Sequence, residues 1–158
     1  MAPALYPKWK QAVWQEAHTA ANDVSLDQGD AAHGVYCALV TLGGGAGQYT
    51  YNATHTFYSD ITSGSIQGTP LQITAPTVSL AANPVAGGQG GLFDGNDCTF
   101  VPVTGTAVGA LILYRHNPGA NTTWRLVYYY DTTGFGLPVT ANGGNVIVSW
   151  SPSGIFVL

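Results

Sequence analysis

The sequence predicts an all-β protein, an antiparallel β-sandwich or jelly roll of about eight strands with a short N-terminal helix or arm. Three observations predict it. Short runs rich in Val, Ile, Thr and Tyr recur along the chain. Clusters of Gly, Asn, Asp and Pro separate them, the residues that supply turn geometry. One convincing helical pattern is present, at the start. At 158 residues the chain has the size of one ordinary domain, large enough to bury a core without metal or disulfide staples.

The helix is expected over residues 7–17, where Trp9, Val13 and Ala17 recur every four positions with Trp14 beside them. Pro7 suits a first helical turn because its missing N–H has no partner there anyway. Two tryptophans exceed the aromatic area of a solvated helix, so this one is expected to dock, on its own sheet or on a neighbouring subunit. Residues 19–33 are polar and turn-rich, with Asp23, Asp27 and Asp30, and read as a linker or exposed loop. The organisation expected is therefore an N-terminal arm over 1–33 and a β-sandwich domain over 34–158.

A β-branched and aromatic run over 34–42 stops at Gly43-Gly44-Gly45. Residues 55–60 fit a helical turn or an irregular loop equally well. Strands are then expected near 65–74, 77–81, 97–101, 107–116, 123–131, 146–150 and 154–158. Their separators are Asn83-Pro84, Gly87-Gly88, Asp94-Gly95-Asn96, Asn117-Pro118-Gly119 and Asn142-Gly143-Gly144. Alternation places Trp124, Leu126, Tyr128 and Tyr130 on one face and Arg125, Val127, Tyr129 and Asp131 on the other, a half-buried strand. Val146, Val148 and Trp150 likewise oppose Ile147 and Ser149. Residues 107–114 are apolar on both faces, as in a central strand or one covered by another subunit.

Composition excludes several function classes. Four Lys or Arg and eight Asp or Glu leave a formal net charge of −4, and Lys8, Lys10, Arg115 and Arg125 are scattered, so no nucleic acid is expected as a partner. No apolar run approaches the roughly 20 residues of a membrane span, so no membrane is expected either. Residues 1–10 lack the apolar centre of a secretory signal. With so little charge to repel neighbours, the chain reads as part of an assembly.

Catalytic signatures are missing: there is no G-x-S-x-G, no H-E-x-x-H and no phosphate-binding Gly-rich loop. Glu16 is the sole glutamate, so a flanking carboxylate pair for glycoside hydrolysis has little to draw on. Cys37 and Cys98, 61 positions apart, read as separate reduced core thiols, with a disulfide or a metal pair as alternatives that no CxxC or CxxH spacing supports. His18, His33, His55 and His116 fall in unrelated segments. Asp94-Gly95-Asn96-Asp97 fits a tight turn or a calcium loop, and turn residues favour the first. Trp124, Tyr128, Tyr129, Tyr130 and Trp150 offer stacking faces for sugars, although such strands more often build a core or an interface. The sequons at Asn52 and Asn121 are too common by chance to argue from. No catalysis, no metal and no cofactor are expected.

One connected series stands out: GLFDGNDCTF over 91–100, VTG over 103–105, VGALILY over 108–114, RLVYYYD over 125–131, GLPVTANGGNVIVSW over 136–150 and IFVL over 155–158. With LYPKW over 5–9 and TFYSD over 56–60, this pattern of turns and strands resembles the capsid decoration, or cement, proteins of tailed bacteriophages. The resemblance covers about 4–10 and most of 34–158. It implies a structural role on the outer surface of the virion, with the major capsid protein as partner and self-association as a homodimer or homotrimer. It makes the N-terminal arm the first candidate for capsid or subunit contact, through Tyr6, Trp9, Val13 and Trp14, joined by Tyr128 and Tyr130. Deleting residues 1–10 is expected to leave a folded protein that no longer docks. The competing classes are a tail, head-fibre or connector component and a carbohydrate-binding β-sandwich adhesin.

Overall fold

A computed structural model describes residues 3–15, 25–26, 32–82, 89–131 and 135–158. Strand accounts for 39% and helix for 12%, and all ladders between named strands are antiparallel, so the class is an all-β sandwich. Much of the expected 19–33 loop and the turns at Asn83-Pro84 and Gly87-Gly88 lie outside the described residues.

The chain opens with β1 (Ala4–Leu5) and α1 (Pro7–Gln15). It continues through β2 (Gly34–Val40), β3 (Ile66–Gln72), β4 (Thr77–Ala82), β5 (Gln89–Asp94) and β6 (Cys98–Phe100). It ends with β7 (Ala110–His116), β8 (Arg125–Tyr130), β9 (Val146–Val148) and β10 (Phe156–Val157). One layer is a five-stranded sheet in the order β1-β8-β7-β2-β3. The second layer is made of a β10-β5-β4 sheet and a β6-β9 ribbon.

Register decides what each face of the large sheet carries. Cys37 opposes Leu113 and Leu39 opposes Leu111, while Leu113 opposes Tyr128 and Leu111 opposes Tyr130, so these side chains share one face. That face packs on the second layer: Tyr128 stacks on Phe156 at 4.9 Å, Tyr130 approaches Trp150 at 6.1 Å, and its hydroxyl donates to the Ile155 carbonyl at 2.7 Å. The opposite face carries Tyr36, Ala38, Ile112, Tyr114 and Tyr129. Tyr49, Tyr51 and Tyr58, from the connection between β2 and β3, cover it, with ring separations of 4.5 to 6.3 Å to Tyr114 and Tyr129. Burial on both faces is why 107–114 carries no polar alternation. Its apolar continuity also needs Gly109, where a Cβ would lie 2.8 Å from the Leu42 side chain.

Three expectations change. The 123–131 strand is not half-buried with strict alternation: Leu126 opposes Tyr114 and Tyr128 opposes Leu113, leaving Val127 as an extra residue. This bulge puts Leu126 on the Tyr129 face rather than with Tyr128 and Tyr130, and both faces are buried. Second, β5 lies over residues for which no strand was expected. Gly90 and Gly91 weaken it intrinsically, but pairing with β4 on one side and β10 on the other holds it extended. Third, 55–60 is both of its open readings in part: Phe57 bridges to Arg125 and a 3-10 turn follows over Tyr58–Asp60, closed by the Asp60 carboxylate accepting from Thr56 N and Phe57 N at 2.7 and 2.9 Å.

Candidate interaction surface

Helix α1 docks on its own sheet, one of the two placements the sequence left open. Leu5 opposes Tyr128 on β8, Tyr6 N donates to the Val127 carbonyl at 3.0 Å, and the Trp9 ring meets Phe156 edge-on at 6.4 Å. Burial follows the helical period through Trp9 and Ala12, with Val13 half-buried beside them. Trp14 sits five residues beyond Trp9, about 140° further round, and its side chain is 85% exposed.

The six candidate contact residues therefore separate. Tyr6, Trp9 and Tyr130 are buried in the protein's own core, Val13 and Tyr128 are half-buried against it, and Trp14 alone among them is displayed. The arm is one body with the sandwich in its described part, because β1 is a strand of the large sheet. Removing residues 1–10 would take β1, Tyr6 and Trp9 out of the fold, so it is no clean probe of docking; substitution of Trp14 is.

Charge singles out the same helix. Of the four Lys and Arg, Arg115 and Arg125 are buried on neighbouring strands, with Arg125 held 5.0 Å over the Phe57 ring and Arg115 Nη1 donating to the His116 carbonyl at 2.8 Å. Lys8 and Lys10 are exposed on α1. All the Lys and Arg charge left at the surface thus lies within two turns of Trp14. A hydrogen-bonded row, Lys8 Nζ to Gln11 Oε1 and Gln11 Nε2 to Gln15 Oε1, runs along the exposed side.

Other polar features are absorbed by the fold. Asp97 Oδ1 accepts from Trp150 N at 2.9 Å, and Asn96 bonds Thr74 through both its backbone and its side chain, which gives the 94–97 turn a structural use. A crevice of about 350 Å³ opens between Gln48, Tyr49, Asn52 and His55. Behind it the Tyr49 hydroxyl bonds both His55 Nδ1 at 2.9 Å and the Tyr6 hydroxyl at 2.8 Å. Burial, then the neighbouring Tyr49, holds the Tyr6 phenol far above its ordinary range. Of the aromatics considered for sugar stacking, Tyr129, Tyr130 and Trp150 are buried and Trp124 and Tyr128 are half-buried. Cys37 and Cys98 are both free and buried. Burial, and secondarily Cys98, raises the Cys37 thiol, while burial and then Asp97 push Cys98 up to about 11.

Apolar side chains are also exposed away from α1: Val78 and Leu80 on β4, Ile147 on β9 and Val101 just after β6. No protein-family model matches the chain, and no curated protein matches it.

Proposed function

We propose that this chain is a decoration protein of a phage capsid, which binds the outside of a shell of major capsid proteins and reinforces it. The observation that carries the reading is the outer face of α1, where Trp14 is 85% exposed, Lys10 lies one turn before it and Lys8 is exposed further round the same helix, which buried Tyr6 and Trp9 anchor. A large aromatic has only two side-chain torsions to order on binding and is among the side chains most often found at the energetic centre of an interface. The exposed charges of Lys10, one turn before it, and of Lys8, further round the helix, favour a target that is apolar at its centre and acidic at its rim. The sparse charge of the whole chain and its resemblance to cement proteins support the same reading.

The mechanism is mechanical. Copies seated across seams between shell subunits add contacts that must break before the subunits separate, and a symmetric oligomer gains avidity by anchoring more than one arm at once. The test is quantitative mass spectrometry of purified virus particles, with the major capsid protein as internal reference. A near-integral ratio to the shell protein is the expected result. A few copies per particle would assign the chain to a tail, fibre or connector, and absence from particles would overturn the reading.

A further inference from the structure

Among the described residues, strand β4 is an edge that lacks the usual protection. In the β10-β5-β4 sheet its one partner among the described residues is β5, in an unbroken register from Thr77 opposite Asp94 to Ala82 opposite Gln89. Exposed edges are normally blunted by shortness, proline, bulges or charge. The other sheet edges among the described residues use these devices: β1 and β10 have two residues each, β6 and β9 three, and β3 carries Pro70 and a register break beside Gly68. Strand β4 has six residues, TVSLAA, with no charge, no proline and no bulge.

Its face carries a second signal. Val78 opposes Phe93, and Phe93 opposes Phe156, so Val78 and Leu80 lie on the sheet face that elsewhere forms the core. Phe93 and Phe156 are covered by the large sheet, whereas Val78 and Leu80 overhang it at 53% and 73% exposure. Thr77 and Ser79 point the other way.

We infer that β4 is a self-association edge: two copies pair their β4 strands antiparallel about a two-fold axis, joining the two three-stranded sheets into one of six strands. The strand is complementary to itself. With Ser79 opposite the Ser79 of the second copy, each Val78 faces the other's Leu80 on one side and hydroxyls meet on the other. No charge is desolvated on either strand, and the contact closes at two copies rather than growing into a fibre. Helix α1 packs at β10, the other edge of the same sheet, so pairing at β4 leaves both Trp14 side chains free. The pairing names the self-association surface of the proposed decoration protein, yet it would hold for the isolated protein whatever its partner. The five residues of each strand that this register pairs bury less than about 1,200 Å² in total, so the dimer is expected to be weak in solution and reinforced when both copies are seated.

Sedimentation equilibrium of the full chain over a wide concentration range tests this, alongside Leu80→Lys, Val78→Lys and Trp14→Ala. The expected result is a reversible dimer in the parent and in Trp14→Ala, with dissociation at least tenfold easier in both lysine variants and unchanged circular dichroism. A monomer at every concentration, or a dimer indifferent to both lysines, would overturn the inference. So would monomeric protein whose 77–82 amides become exchange-protected only on shells, which would make the occupant of the edge a strand of the shell protein. None of these outcomes bears on shell binding through Trp14, which the stoichiometry of particles tests separately.

Discussion

The hydroxyls of Tyr6 and Tyr49 lie 2.8 Å apart across 43 residues of sequence, joining the strand-to-helix corner at the N terminus to the connection that covers the outer face of the large sheet. Tyr49 also bonds His55, whereas Tyr6 Oη has Tyr49 as its hydroxyl partner. The two positions are therefore unequal. Tyr49→Phe strands a buried hydroxyl and is expected to cost about 1–3 kcal/mol, while Tyr6→Phe leaves Tyr49 bonded to His55 and costs about 1 kcal/mol. Urea titrations of the single and double variants check this; equal losses would mean the link to His55 carries no weight.

Ile112 and Leu113 are adjacent on β7 but face opposite sides of the sheet, and both are fully buried. Truncating either to Ala is expected to cost about 2–5 kcal/mol. A strand with one solvated face would give one large and one negligible loss. Such a split would contradict the covering of the outer face by Tyr49, Tyr51 and Tyr58.

The tryptophans of α1 should behave as opposites. Trp9→Ala opens a cavity against Phe156 and is expected to cost about 3–5 kcal/mol. Trp14→Ala is expected to stay within about 0.5 kcal/mol of the parent in stability while weakening shell binding at least tenfold. Thermal melts and co-sedimentation with shells read the two effects. Full shell binding by Trp14→Ala would move the contact away from α1.

Alkaline pH should unfold the protein earlier than neutral groups alone would allow. Burial raises Cys98 from 9.0 to about 11, and burial chiefly raises Tyr49 from 10.0 to about 12. Because the folded values lie above the unfolded ones, the stability linked to these groups is complete below about pH 9 and is lost as pH rises toward 12. The urea midpoint is expected to fall steadily from pH 9 to 11. In the same experiment both thiols should resist an aromatic disulfide reagent at pH 8 until denaturant is added. Fast reaction of either thiol in the native protein would contradict its burial.

Local sequence carried the class of this fold and much of its punctuation. Turn clusters such as Asn117-Pro118-Gly119 and the period-2 pattern of Val146, Val148 and Trp150 need only neighbouring residues to act, and the ribbon bears out that pattern, with Ile147 exposed and Val148 and Trp150 buried. The two-sided apolar run at 107–114 was legible for the same reason. The helix was legible too, but not which tryptophan it buries: four-residue spacing from Trp9 drifts round the helix, and Trp14 falls on the side that Phe156 and β8 do not cover.

Tertiary structure alone decided the rest. No strand was expected over 89–94, yet β5 forms there because β4 pairs with it along its length and β10 pairs Leu92 and Phe93 from the other side. Strict alternation in 124–130 fails because β8 matches β7 in length only by bulging at Val127. Nothing in the local sequence marks Arg115 and Arg125 as buried, yet both are, so the exposed Lys and Arg charge is confined to α1. Each of these depends on which distant strand lies alongside or above a residue. A chain encodes its own periodicity locally, but burial is a property of pairs of surfaces, and a pair exists only once the strands have met.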